Sequence, residues 1–97
     1  MELKGLKSYE IPLKLPLLIL QGSKGLLACG YLRVETFNRT GEAAAIVTGV
    51  KNFDDMSAAT VKTVSEAGAN LGLKPGMTGA ETVFTVAALM SSKFFTT

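Results

Sequence analysis

Gly25-Leu26-Leu27-Ala28-Cys29-Gly30, then Thr48-Gly49-Val50, then Leu71-Gly72-Leu73-Lys74-Pro75-Gly76-Met77-Thr78-Gly79 are the stretches whose reading decides the fold. In the first, a short apolar run between glycines has strand length and sits beside a turn. In the third, Gly72 stands where a helix would end, because glycine takes the left-handed conformation without a steric penalty. Lys74-Pro75-Gly76 reads as a tight connection. Thr78-Gly79-Ala80-Glu81 is a capping box that opens another helix.

Outward from these landmarks the periodicities follow. Residues 8–15 alternate, with Tyr9, Ile11, Leu13 and Leu15 on one side and Ser8, Glu10, Pro12 and Lys14 on the other. That pattern predicts a strand with one wet face. Pro12 assigns it to an edge, since proline has no N–H for a ladder. Leu17-Leu18-Ile19-Leu20 is apolar on both faces and predicts a buried strand. Gln21-Gly22-Ser23-Lys24-Gly25 supplies a hairpin turn. The strand after it, residues 26–32, then returns antiparallel.

Residues 33–40 read as a short helix ending at Gly41, and residues 43–51 as a strand of small residues that a helix can approach closely. Asn52-Phe53-Asp54-Asp55 is a turn that caps a short helical segment. A longer helix is expected over residues 58–71, with Val61, Val64, Gly68 and Leu71 as its packing stripe. The last helix is expected to run from the capping box to about Met90, on Val83, Val86, Ala87 and Met90. Residues 91–97 form a tail, in which Phe94 and Phe95 are expected to dock on the body or on a neighbouring subunit. The whole predicts one α+β domain over residues 1–97, in the order βββαβαα. Its sheet is mostly antiparallel, of about four strands, with two or three helices on one face.

Composition narrows the function by exclusion. The chain has 97 residues, no histidine, one cysteine and a net charge of +2. Without histidine there is no Cys-His or Ser-His pair within the chain, and the usual general base near neutral pH is missing. One cysteine supplies neither an internal disulfide nor a zinc set, so no metal or cofactor is expected. No Gly-x-Gly-x-x-Gly opens a helix, and there is no phosphate loop ending in Gly-Lys-Ser/Thr. The charge is too small for a nucleic-acid binder, which needs a dense basic patch. The N-terminal lysines, Lys4, Lys7, Lys14 and Lys24, read as guards of a strand edge. Residues 11–20 are too few to span a bilayer, which takes about twenty residues, and Pro12, Lys14 and Pro16 interrupt them. With no signal-peptide pattern, the protein is expected in the cytoplasm. Hydrophobic residues make up 47% of this short chain, more than a small monomer buries with ease, which predicts a homo-oligomer.

Three constellations are candidates for chemistry. Cys29-Gly30 is either a reactive thiol with room for a ligand or a small buried hydrophobe beside a packing glycine. Gly76-Met77-Thr78-Gly79 with Lys74 is either an anion site at a helix start or ordinary capping, and Glu81 would repel an anion there. Asp54-Asp55 is either a magnesium or base pair or an acidic helix start favoured by the helix dipole. The candidate ligand-binding residues are therefore Cys29, Gly30, Asp54, Asp55, Lys74 and Thr78, with Cys29 the one candidate nucleophile.

The order Gly25-x-x-x-Cys29-Gly30, Gly49-Val50, Phe53-Asp54-Asp55, Ala67, Leu71-Gly72-Leu73 and Gly76-Met77-Thr78-Gly79 resembles the YunC-like family of small bacterial and archaeal proteins. The resemblance covers residues 17–89. It implies a compact α+β domain and no established activity, so it carries over no catalytic residues. It does place Cys29 and Gly30 on a family motif. The reading that results is a small, non-catalytic, cytoplasmic homo-oligomer that binds a partner or a small ligand at a subunit cleft. The alternative is an enzyme or redox protein with Cys29 as nucleophile, completed by Lys or Asp residues across an interface.

Overall fold

The computed structural model describes residues 6–87. The α+β class holds. The elements run β1 (Lys7–Ile11), β2 (Leu17–Gln21), β3 (Leu26–Ala28), α1 (Val34–Thr40), β4 (Ala44–Ile46), α2 (Phe53–Ala58), β5 (Thr63–Val64), α3 (Glu66–Leu71) and α4 (Gly79–Ala87). The five strands lie in the order β1-β2-β3-β4-β5. The pairs β1–β2, β2–β3 and β4–β5 are antiparallel, whereas β3–β4 is parallel, with Leu26 opposite Ala44 and Ala28 opposite Ile46. The sheet is thus mixed, and it has one strand more than the periodicity suggests. A parallel pair needs a crossover, and α1 supplies it.

The helices occupy both faces of the sheet rather than one. Side chains alternate along β3 and β4. Leu27, Cys29, Ala45 and Val47 face a core closed by Met56 of α2 and by Val83 and Val86 of α4. Leu26, Ala28, Ala44 and Ile46 face a smaller core closed by Val34 and Phe37 of α1. Alanines at two of the four strand positions of that second core, Ala28 and Ala44, leave room for the short helix to lie close.

The helix expected over residues 58–71 is instead two elements. Residues 59–64 are extended, because Thr60, Val61, Thr63 and Val64 are β-branched and favour a pleated surface. The segment is held on both sides. Lys62 N–H donates to the Ile46 carbonyl at 2.8 Å, while Val61 N–H donates to Met77 and Gly76 N–H to Val61 at 2.8 and 2.9 Å. Ser65 then caps α3, its Oγ accepting from Gly68 N–H at 3.0 Å. The same Oγ accepts from Ala44 N–H at 2.9 Å and donates to the Glu42 carbonyl at 2.8 Å, so a fully buried hydroxyl ties α3 to β4. Gly68 is where α3 meets the sheet: a Cβ there would stand 3.0 Å from the Ala44 carbonyl oxygen.

Other expectations hold. Gly41 and Gly72 end α1 and α3 in the left-handed conformation. Thr78 and Glu81 form the reciprocal capping box, with bonds of 2.9 and 3.1 Å. Asn52 Oδ1 caps α2 by accepting from Asp55 N–H at 2.7 Å. The predicted strand over residues 43–51 is shorter, so Gly49 falls in the loop after it, at φ +74°. Met90 and the tail at residues 91–97 lie outside the described residues.

The edge strand is present and β1 pairs with β2, but it ends at Ile11, so Pro12 and residues 13–15, expected in it, lie beyond its end. Nothing among the described residues covers the apolar side of the alternating segment at residues 8–15. Tyr9, Ile11, Leu13 and Leu15 are 43–55% exposed.

Candidate functional site

The parallel pair sets the geometry of the site. After β3 the chain turns to α1 on one face of the sheet, and after β4 it turns to α2 on the other. Adjacent parallel strands whose connections part in this way leave a crevice beyond their carboxyl ends. A cavity of about 370 Å³ lies at that place. Cys29, Gly30 and Tyr31 line it from the β3 side, Thr48, Gly49 and Val50 from the β4 side, and Leu15 and Pro16 from the segment leading into β2.

Local chemistry holds each wall. Cys29 is 3% exposed, and its Sγ accepts a hydrogen bond from Leu18 N–H at 3.3 Å. Cys29 N–H donates to the Leu18 carbonyl at 3.1 Å, so the residue is tied twice to β2 just beyond the end of β3. Leu32 N–H closes a turn onto the Cys29 carbonyl at 3.1 Å. Gly30 permits a close approach there, since a Cβ would stand 3.2 Å from Thr48 Cγ2. Gly49 needs its positive φ, and nothing lies within 4 Å of where a Cβ would project. Tyr31 Oη accepts from Leu15 N–H at 3.3 Å, which joins the two outer walls.

Of the sequence candidates, Cys29 and Gly30 therefore share one cavity, and the others do not line it. Asp54 and Asp55 stand in the first turn of α2. Asp55 Oδ2 accepts from Lys51 N–H at 3.0 Å, completing a cap with Asn52. Lys74 lines a separate groove with Met77, Glu81 and Phe84, and Thr78 is engaged in the α4 cap. No group of three or more His, Cys, Asp or Glu side chains that could hold a metal ion occurs among the described residues. No helix among them is long and apolar enough to cross a membrane.

Sequence reasoning did not single out Leu15, Pro16, Tyr31, Thr48 or Val50 as site residues. The signal available was the Thr48-Gly49-Val50 landmark. Its link to Cys29-Gly30 depends on β3 and β4 being parallel neighbours, which no local pattern encodes.

Among solved structures, the chain is similar to a protein of unknown function, TA1206, from Thermoplasma acidophilum. The two share 34% sequence identity and a TM-score of 0.75, over 84% of this chain and 91% of that one. No curated protein matches. Residues 28–86, more than half the chain and including Cys29, Gly30 and the loop at Gly49, match the family described as a domain of unknown function (DUF1805), and the chain belongs to that family.

Proposed function

We propose that the protein is a non-catalytic, cytoplasmic, single-domain module that self-associates and binds a small ligand or partner at a cleft between subunits. Within its family we group it with the YunC-like proteins, on the Cys29-Gly30 pair and the Gly76-Met77-Thr78-Gly79 connection. One observation carries the reading. Tyr9, Ile11, Leu13, Leu15 and Tyr31, all large and apolar or amphipathic, are each more than 40% exposed. Leu15 and Tyr31 are also walls of the cavity. Large apolar side chains gathered on one exposed segment mark an interaction surface. A second copy seated there would cover the edge strand and close the mouth of the cavity together.

The second reading, Cys29 as a nucleophile, has one observation in its favour: the thiol lines the cavity. Against it stand the 3% exposure of the residue and the hydrogen bond its sulfur already accepts. Among the described residues, no Lys or Asp lines the cavity beside the thiol.

The test is the double variant Ile11→Glu, Leu13→Glu. Both residues are about half exposed, so the single chain tolerates the change. The variant is expected to remain folded by circular dichroism and to sediment at a lower mass than the native protein. An unchanged mass would remove β1 and its neighbours from the interface.

A further inference from the structure

We propose that two copies of the chain join by antiparallel pairing of β1 with β1, about a twofold axis beside Tyr9, so that their sheets run on as one. The proposal rests on the self-association reading above and names how the copies meet.

The sheet has two edges, and they differ. At one edge β5 is two residues long, and the segment leading into it is already paired, Val61 with Met77 and Gly76. At the other edge β1 keeps five residues in a row, all exposed. Among the described residues, no backbone group of residues 7–11 bonds outside the pairing with β2. An edge row of unpaired N–H and C=O groups is a template for one more strand. The usual protections are missing from it. No proline stands within residues 7–11, and the pairing with β2 runs through without a bulge. Of the lysines expected to guard the edge, only Lys7 stands in β1.

The residues of β1 then select a second copy as the added strand. A twofold axis perpendicular to the sheet keeps each face on its own side, so opposed residues must have the same parity. The registers open to it are centred on Ser8, Tyr9 or Glu10. Only the register centred on Tyr9 overlaps the whole strand. It sets Tyr9 against Tyr9, Lys7 against Ile11 and Ser8 against Glu10. No like charges meet. Two rings lie side by side, a lysine stem runs along an isoleucine, and a hydroxyl can donate to a carboxylate. The lysine ammonium also stands diagonally across from the Tyr9 ring of the other copy, where a cation is attracted. The Tyr9 pair extends an apolar rung that already runs from Ala28 through Ile19 to Tyr9 across β3, β2 and β1. A shift to Glu10 would oppose two carboxylates and bring Pro12 into the ladder against Ser8. A shift to Ser8 would leave Glu10 and Ile11 opposite residues outside the strand.

The test places single cysteines in β1 of the full chain, in a Cys29→Ala background, and oxidises each variant in a glutathione buffer at micromolar concentration. Opposed Cα atoms in such a pair lie about 4.5–5.5 Å apart, within disulfide reach, whereas Ser8 and Glu10 would stand about 8 Å from their own copies, beyond it. Tyr9→Cys is expected to cross-link to a species of twice the chain mass, about tenfold more than Ser8→Cys or Glu10→Cys. A second experiment keeps the ring at the axis: a mixture of Lys7→Cys and Ile11→Cys chains is expected to form the mixed disulfide in preference to either chain's own. Tyr9→Lys, which opposes two ammonium groups on the axis, is expected to stay folded by circular dichroism and to sediment at a lower mass than the native protein. A multimeric native protein that shows no preference in either cross-linking experiment, or whose Tyr9→Lys variant keeps the native mass, would overturn the edge pairing and leave self-association standing. A native protein that sediments only as a 10.2 kDa species would overturn both.

Discussion

At the scale of the residue, Gly49, Gly30 and Cys29 shape the cavity. Gly49 carries a positive φ that side chains adopt only with strain, and Gly30 sits against Thr48. Gly49→Ala is expected to cost about 1 kcal/mol, which for a domain of this size lowers the melting temperature by about 4–8 °C. Gly30→Ala is expected to cost less, because Thr48 is exposed and can give way. Unchanged melting for both variants would contradict the packing role. Cys29 is buried and bonded, so labelling by a thiol reagent at pH 7 is expected to be far slower than in the urea-unfolded chain. Native labelling as fast as in the unfolded chain would promote the nucleophile reading, with Cys29→Ser the first variant to assay. Ser65 does not line the cavity and instead ties α3 to β4. Its Oγ serves two buried N–H groups and one carbonyl. Ser65→Ala is expected to destabilise by about 2 kcal/mol, since it strands buried donors. A loss under half of that in a urea melt would show that the network contributes little.

At the scale of the element, what the sequence reveals follows from how local the determinant is. The caps were legible because a cap is a contact within three or four residues. Thr78 with Glu81, Asn52 with Asp55, and Gly41 and Gly72 after their helices all stand as their spacing implies. Thr78→Ala is accordingly expected to cost about 1 kcal/mol by loss of the α4 cap, and equal melting of the two proteins would show that the capping box is dispensable. Residues 58–71 misled because Val61, Val64, Gly68 and Leu71 keep a helical spacing while the β-branched run at 60–64 favours extension. Pairing on both sides, with Ile46 and with residues 76–77, settled the competition in favour of the strand. The spacing could not show those partners, which lie more than ten residues away. The parallel pairing of β3 with β4 is hidden for the same reason, and with it the fact that Cys29-Gly30 and Thr48-Gly49-Val50 face one cavity. The glycine landmarks mark both sides of the site without saying that they meet.

At the scale of the whole molecule, apolar surface is the quantity left unbalanced. Two cores on opposite faces of the sheet bury Leu18, Leu27, Met56, Val83 and their neighbours. The alternating segment at residues 8–15 keeps its apolar side in water. Its pattern is that of a half-buried strand, yet nothing among the described residues covers it. The self-association we propose would resolve the discrepancy between pattern and burial, and it would also account for the high hydrophobic content of the chain. The direct measurement is the mass of the native protein by light scattering at micromolar concentration. Self-association predicts a multiple of the 10.2 kDa chain mass, and a single species of 10.2 kDa would contradict it.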